Sequence, residues 1–439
     1  KLQRPVVATS GNRSDEPLCT DETEALERLG DIADAFLNHN RPIAHGIDDS
    51  IVRVIGGKRT VLRRARGFAP MPLSGPESSS TILALGGHMK NTIALHKGSS
   101  TLLSPHIGDL DTLLARESQK KQIKTLEHFH DGRPTIFVCD KHPDYASTKL
   151  AKHLDYHALS VQHHYAHVVS CMAEQGLSGP VLGVAWDGTG YGDDGTVWGG
   201  EFFEATLVDY TRLAHLRPFA LPGGEHAVKE PYRSALALMH TAFDGILPGI
   251  PTWQLDPPAS AERLEQLVQL LDSNSQVNPC TSAGRLFDGI SAMLGPPYIH
   301  AYEGQAPMRL EKLAVAARRC MEYTIPIEEE DGALILDWCP MIRSILLNLM
   351  ERRTQNSIAQ GVHRALAQSI VDVALRAGLN NVVLSGGCFQ NRLLTEYTIS
   401  GLQKVGFMVY WHEQVPPNDG GLCLGQAAHA AAYLTKEGI

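Results

Sequence analysis

The run VLGVAWDGTGYGDDGTVWGGEFFEA, residues 181–205, places two β-branched and aromatic stretches on either side of a glycine-rich loop. VLGVAW (181–186) and VWGGEFFEA (197–205) read as strands, and the DGTGYGDDG between them supplies the positive-φ positions of a turn. The same device occurs a hundred residues earlier in TILALGGHMKNTIALHKG, where apolar residues fill 82–85 and 93–95 around GGHMKN. Two strand–glycine-turn–strand units, each opening a mixed α/β segment, predict two lobes of related design. No fixed short period points to a solenoid instead.

A third glycine loop follows a strand at VVLSGGCFQN (382–391), and the helix-like NRLLTEYTISGLQKVG comes next. Strand, glycine loop and helix together present backbone N–H groups and a helix N-terminus to phosphate. Three such loops at the turns of two lobes resemble the phosphate loops of the actin–hexokinase–chaperone ATPase fold, with adenosine between the lobes. The expected fold class is therefore α/β and two-lobed.

Composition bounds the function. The chain has 439 residues, 43% hydrophobic and 20% charged, enough for more than one domain and a sizeable core. Its formal net charge of −9 argues against a backbone-tracking grip on nucleic acid, although KRTVLRRARG (58–67) is locally basic. The eight cysteines are scattered without a CxxC pair, which suggests thiols in a reducing compartment rather than a disulfide framework. No apolar run is long enough to span a membrane. A cytoplasmic protein is expected.

The opening KLQRPVVATSGN starts abruptly in a strand-like run with no signal-peptide pattern, and the expectation is the C-terminal portion of a longer protein. Residues 1–72 read as a strand at VVATS, a helix near 21–37, and strands at IVRVI and TVLRR, completing a larger domain. The Pro/Ser/Gly-rich FAPMPLSGPESSS marks an interdomain linker, assigned to 73–80. Lobe 1 is then expected over 81–180 and lobe 2 over 181–439.

VQHHYAHVVS (161–170) carries three histidines within five residues. His163 and His167 are four apart, so on a helix both imidazoles reach one ion. A helix from about 163, ending at Gly176, fits the pattern. The spacing alone favours a plain wet helix face, since His153 and His157 in KHLDYH repeat it. Asp187, at the end of VLGVAW, could supply a third ligand, and Asp419 in VPPNDGGLCLGQA a fourth. Two His and two Asp suit Zn or Fe(II).

From residue 81 onward ten segments, in order, resemble the TsaD-like domain of the HypF carbamoyltransferase family. They are ALGGHMKNTIAL, SPHIGDL, CDKHPDYASTKLA, VQHHYAH, WDGTGYGDDG, LPGGEHAVKEPYR, GRLFDGISAMLG, YEGQAPMRLE, LSGGCFQNRLL and PPNDGGLCLGQA. TSGNRSDEP, DDSIVR and LRRARGFAP resemble the end of a YrdC-like domain. That order is the family's; antibiotic O-carbamoyltransferases carry the two domains reversed.

The resemblance implies an enzyme that moves a carbamoyl group from carbamoyl-adenylate to the C-terminal cysteine thiol of HypE, for the cyanide ligand of [NiFe]-hydrogenases. In the family the adenylate is made from carbamoyl phosphate and ATP, with Mg accompanying ATP. The family's acylphosphatase-like and zinc-finger regions have no counterpart in these residues, so carbamoyl phosphate hydrolysis is not expected of them. His163, His167, Asp187 and Asp419 match the family's metal ligands and are the implied catalytic set, holding one divalent Zn or Fe. Lys90 and Asn91 lie in the first phosphate loop, Gly188, Thr189, Gly190 and Tyr191 in the second, and Ser385, Gly386 and Gly387 in the third. His88 stands where the family leads one to expect an acidic residue. Asp288 matches a carboxylate that holds ribose hydroxyls, and Gly304 and Asn391 lie near the nucleoside. In the YrdC-like segment Ser10, Asn12, Ser50 and Arg64 match nucleotide-contact positions.

Bland readings stand beside these: Asn391 as a helix cap, Asp288 as a surface helix residue, Lys229 and Arg233 as a solvated face, Cys388 as packing. His164 points about 100° off the 163/167 face and has no assigned role, and no general base is evident. Alternatives are a tRNA threonylcarbamoyl transferase-like enzyme, a small-molecule kinase, and a non-catalytic nucleotide-binding scaffold. Neither nucleic acid nor membrane is an expected partner.

Overall fold

A computed structural model of the chain describes residues 3–438 apart from 14, 15, 156, 274–276 and 331. The N-terminal segment carries helix α1 (Glu22–Leu29) and the hairpin β1 (Ile51–Ile55), β2 (Lys58–Arg63). Asp21 caps α1 by accepting from the N–H groups of Thr23 and Glu24, and the helix stops at Gly30. It is thus shorter than the expected 21–37. VVATS is not a strand: Val6 is 66% and Val7 96% exposed, and no described strand pairs with it. A strand needs both a ladder and a covered face to be stable.

The first sheet has the order β4-β3-β5-β6, from β3 (Leu73–Ala84), β4 (Ala94–Leu103), β5 (Ile136–Asp140) and β6 (Leu159–Val161). Residues 73–80, expected as a linker, are the first two-thirds of β3. They pair with β4 through Leu73, Ser74 and Ser78, with register shifts before Ser78 and before Ile82. Those irregularities admit Gly75 and Pro76, which a regular central strand would reject. Helices α2 (Leu113–His130) and α3 (Ala146–Leu154) cover the outer face. Ile82 and Ala84 point inward while Leu83 and Leu85 point toward these helices, the period of two that a doubly covered strand requires.

After helix α4 (His163–Glu174) the second sheet begins with the meander β7 (Val181–Tyr191), β8 (Val197–Ala205), β9 (Tyr210–Leu216). Strands β10 (Phe219–Leu221) and β11 (Asn278–Cys280) pair at its margin, and β12 (Ile327–Glu330) and β13 (Ala333–Leu336) extend it past β9. On the other side β14 (Asn381–Ser385) and β15 (Met408–Trp411) run parallel to β7. Each sheet therefore joins an antiparallel hairpin to parallel strands, as the two glycine-turn units predict. The strand expected to end at 186 continues to Tyr191, because a bulge between Trp186 and Gly190 lets Gly190 and Tyr191 pair again with β8.

Outside this sheet lie α5 (Glu225–Lys229), α6 (Pro231–Ala242), α7 (Pro251–Leu255), α8 (Ala261–Ser273) and α9 (Ala283–Met293). They are followed by α10 (Gln305–Val315), α11 (Cys339–Met350), α12 (Gln355–Ala377) and α13 (Arg392–Lys404). The last helix, α14 (Leu422–Glu437), does not join them. It returns to the inner face of the first sheet and packs with α4 between the two sheets. Leu182, Val184 and Trp186 of β7 feed the outer core, while Val181 and Ala185 face the central helices.

Helices α4 and α14 meet at Gly425. A Cβ there would lie 1.9 Å from the Ala166 carbonyl oxygen, so the helices approach more closely than any side chain permits. Gly425→Ala is expected to destabilise the protein by at least about 2 kcal/mol, the scale of a backbone-level overpacking error, in chemical denaturation with the slope unchanged.

Candidate functional site

Gln162 opens α4, its side-chain oxygen accepting the Tyr165 N–H at 2.8 Å. Every residue from His163 to Ala173 is buried, which removes the wet-face reading of the histidine cluster. His163 and His167 sit one turn apart and direct their Nε2 atoms toward two carboxylates. Asp187 stands on the bulge of β7, and Asp419 opens a short turn just before α14.

The His163 Nε2 atom lies 3.4 Å from Asp187 Oδ2 and 3.7 Å from Asp419 Oδ1; His167 Nε2 lies 3.5 and 3.6 Å from the same oxygens. All four atoms fall within 4.8 Å of one another. Neither Nε2 has a hydrogen-bond partner in the protein, although both are fully buried. Ligands about 2.1 Å from a tetrahedral ion are about 3.4 Å apart, so the four cross-distances fit the edges of such a site. Two orphaned imidazole nitrogens facing two carboxylates fit a divalent cation better than any internal arrangement.

The flanking contacts orient these ligands. Asp140, at the C-terminal end of β5, accepts from His163 Nδ1 at 2.7 Å, which fixes the proton there and leaves Nε2 as the lone pair. The Gly387 N–H donates to Asp187 Oδ1 at 2.8 Å, turning Oδ2 toward the histidines. A Cβ at Gly387 would lie 2.6 Å from that oxygen, so the third glycine loop must be glycine here to approach. Burial works against protonation of His163, yet Asp140, Asp419 and Asp187 together raise it well above the usual imidazole range. Burial likewise works against charge on Asp187, and the two imidazoles overcome it to hold the carboxyl well below its usual range. His164 is driven well down, by burial first and then by the neighbouring His163. Its Nδ1 lies 3.3 Å from the Gln162 amide nitrogen, and it is not among the four residues whose ligand atoms converge.

In the first loop Lys90 adopts a positive φ of 45° and its ammonium pairs with Glu303 across the lobes. Asn91 is fully buried and spends both amide hydrogens on the Leu85 and Gly87 carbonyls, bracing the loop from within. His88 stacks on Tyr145, which stacks in turn on His142 at 4.1 Å, and His88 Nε2 meets Asp111 at 2.9 Å. Gly188, Thr189, Gly190 and Tyr191 lie along the bulge and end of β7, with Ser282 Oγ, the cap of α9, donating to the Asp187 carbonyl at 3.1 Å. Gly386 has φ 99° and its N–H donates to Pro417. Asp288 is fully buried beside Arg285 at 2.6 Å, so it is not a surface residue. Gly304 takes the left-handed conformation ahead of α10. Asn391 caps α13 through its oxygen and gives its amide nitrogen to His363, the capping reading realised.

Three features escaped the sequence. Asp140 is one; a carboxylate at the C-terminal end of an inner strand was its available signal. The second is a buried chain in which Ser385 Oγ meets His412 Nε2 at 2.8 Å and His412 Nδ1 meets Glu174 at 2.7 Å. Ser385 is thereby tied to the last residue of α4. The third is the hold of the N-terminal hairpin on the site: Asn418 donates to the Leu62 carbonyl at 3.1 Å, and Arg53 forks onto Glu311. Arg64 is buried against the Met71 and Gln414 carbonyls, and the Ser50 hydroxyl sits between Ala65 and Arg66. Asn12 bonds to backbone within its own loop, and Ser10 is exposed. Burial pushes the Cys388 thiol well up, as a packing residue requires. Arg233 is buried and paired with Glu230 rather than solvated.

Comparison with known proteins gives three matching family models. Residues 183–426 match "Carbamoyltransferase, Kae1-like Domain, second subdomain", residues 77–174 match "HypF Kae1-like domain", and residues 1–65 match the Sua5/YciO/YrdC model described as "Telomere recombination". The carbamoyltransferase HypF of Synechocystis is 40% identical over 97% of this chain and 57% of its own length. A HypF homolog of Cupriavidus necator is 34% identical over 81% of this chain and 92% of its own length. A crystal structure of full-length HypF in a phosphate- and nucleotide-bound form superposes with a TM-score of 0.91 at 39% identity, covering 97% of this chain and 56% of that one. The chain thus spans a little over half the length of the full-length relatives. The expected α/β, two-lobed fold class holds. No described helix is long and apolar enough to cross a membrane.

Removing a ligand should empty the centre. His163→Ala is expected to lower zinc affinity by more than about 100-fold, and Asp140→Asn by about 10- to 100-fold, in equilibrium dialysis with metal analysis. Unchanged affinity in folded His163→Ala would overturn the ligand set.

Proposed function

The chain belongs to the HypF carbamoyltransferase family, and from that premise we propose that it transfers a carbamoyl group from carbamoyl-adenylate to the C-terminal cysteine thiol of HypE. One observation carries the reading: two buried, unpartnered imidazole nitrogens converge on Asp187 and Asp419 directly beside the Gly387 N–H. His163, His167, Asp187 and Asp419 would hold one divalent ion, zinc or iron, which when bound supplies Lewis acidity and charge neutralisation. The residues of the chain do the positioning. The Lys90 ammonium and those backbone N–H groups of the glycine loops that no protein acceptor takes would bind phosphate oxygens, and Asp288 would accept from the ribose. Lys90 is kept charged: burial opposes its ammonium, but Glu303, Asp419 and Asp109 raise it.

In the transfer the acceptor thiolate attacks the carbamoyl carbon, forming a C–S bond. The C–O bond to the adenylate phosphate breaks, and AMP leaves with the electron pair. The thiol proton passes to solvent. No cysteine of this chain takes part, and a proton-accepting side chain is not required once the acceptor is a thiolate. Adenylate synthesis from carbamoyl phosphate and ATP, with Mg, belongs to the longer relatives' set of domains.

Two outcomes separate this reading from its competitors. Metal-loaded protein given carbamoyl-adenylate and HypE should add one carbamoyl group to the HypE terminal cysteine, read by intact and peptide mass spectrometry. Lys90→Ala is expected to slow transfer by about 100-fold, the scale of one lost charge-stabilising donor. Folded, metal-loaded protein that leaves HypE unmodified would sink the transferase reading and leave the scaffold.

A further inference from the structure

Gln390 is the last residue of the short helical turn Gly387–Gln390 in the third glycine loop. Its Nε2 donates to the Gly387 carbonyl at 3.0 Å, and the N–H of the same Gly387 is the donor that turns Asp187. Its Oε1 accepts from Asn418 Nδ2 at 2.9 Å, and Asn418 immediately precedes Asp419. Asn418 is buried, and its Oδ1 accepts from the Gly420 N–H at 3.0 Å across the turn that carries Asp419.

These contacts allow one orientation of the two amides. A backbone N–H only donates, so the Asn418 oxygen faces Gly420 and its nitrogen faces away. That nitrogen has two hydrogens, one for the Leu62 carbonyl at 3.1 Å and one for Gln390. Gln390 therefore gives its oxygen to Asn418 and its nitrogen to the Gly387 carbonyl. Flipping either amide sets donor against donor or acceptor against acceptor.

The β1–β2 hairpin, part of the segment that matches the YrdC model, holds this bridge at both ends. Leu62 of β2 takes Asn418, and the Arg53 guanidinium of β1 donates to the Gln390 carbonyl at 3.0 Å. Arg53 is itself fixed by two bonds to Glu311, at 2.6 and 3.0 Å, and Glu311 also accepts the Arg392 N–H at 3.0 Å. Asp187 and Asp419 stand on separate elements, a strand bulge and the turn before α14. The pair of amides links those elements beside both carboxylates.

We propose that Gln390 and Asn418 are positioning residues that set the spacing of Asp187 and Asp419, and that Arg53 makes this spacing depend on the YrdC-like hairpin. The proposal rests on the metal reading above and deepens it, since outer contacts of this kind hold metal-directed side chains in place.

The test measures zinc(II) affinity of the whole chain by competition with a chromophoric chelator. Gln390→Met, similar in length but without the amide, should weaken binding by about tenfold; Gln390→Asn, one methylene short, is the milder break if the Met variant does not fold. Arg53→Ala should weaken it by about threefold, and Arg53→Lys, which keeps a donor, should restore part of the loss. Combined with Gln390→Met, Arg53→Ala should cost nothing more, because both act through one bridge. Lys58→Ala breaks the Lys58–Glu413 pair of the same hairpin outside the bridge and should leave affinity unchanged. Folded Gln390 variants with wild-type affinity overturn the bridge. Wild-type affinity in Arg53→Ala, or an equal loss in Lys58→Ala, overturns the part of Arg53. Wild-type protein that binds no zinc overturns the metal reading and the bridge with it.

Discussion

The contact between Gly425 and the Ala166 carbonyl, backbone against backbone, fixes where Asp419 stands relative to His163 and His167. Because α14 lies directly on α4, the turn that precedes it brings Asp419 to the histidine face. That turn is held from several sides. Ser170 of α4 donates to the Gly421 carbonyl at 2.8 Å, and Thr92 of the first lobe donates to the Gly420 carbonyl at 2.9 Å. Asn418 reaches the N-terminal hairpin through the Leu62 carbonyl. A bulkier residue at 425 would separate the helices and withdraw Asp419, whatever happened to the other ligands.

The electrostatics follow from the same burial. Asp140, Asp187 and the two imidazoles lie where unpaired charge is expensive, so each needs a partner of opposite sign or a donor. Gly387 and His163 meet that need in part. Three carboxylates set against two imidazoles still leave an excess of negative charge in a poorly solvated space. A divalent cation would remove the excess and take up the orphaned nitrogens at once. The position of the cluster between the lobes follows from α4 being sandwiched between the two sheets, where neither sheet alone would exclude water.

Much of this was legible from sequence because the signals were local. The i, i+4 spacing of His163 and His167, the glycines flanking strands, and the Pro/Gly turn ahead of α14 each report on a few consecutive residues. The failures came where distant partners decide. Residues 73–80 carry linker composition, yet β4 supplies a ladder, and bulges absorb Gly75 and Pro76. VVATS has strand propensity but gains neither ladder nor cover. Asp187 was placed at a strand end, whereas pairing with β8 resumes beyond it and makes the ligand part of a bulge. Asn91 and Asn391 fit a nucleotide pattern, and within the protein their amides bond to Leu85 and Gly87 in one case and to the start of α13 and His363 in the other. Only three-dimensional hydrogen-bond accounting separates a brace from a ligand contact.

The Glu174–His412–Ser385 chain explains how the ion and the third glycine loop can keep one spacing. Helix α4 carries His163 and His167 near its start and Glu174 at its end. Glu174 accepts from His412 and from the Glu413 N–H at 2.9 Å, and His412 meets Ser385 at the foot of the loop. Two residues further, the Gly387 N–H returns to Asp187. The path from the histidines down the helix, across to the loop, and back to their own carboxylate neighbour is closed. Within such a ring no member can shift alone without breaking a buried hydrogen bond, at about 1–3 kcal/mol each. The loop's position relative to the metal centre is thus set by a rigid helix rather than by the loop's own conformation. The transfer proposed for this chain would hold a phosphate oxygen against a metal ion and would require that fixity, since pre-organisation is effective only when supporting contacts lock the reacting geometry.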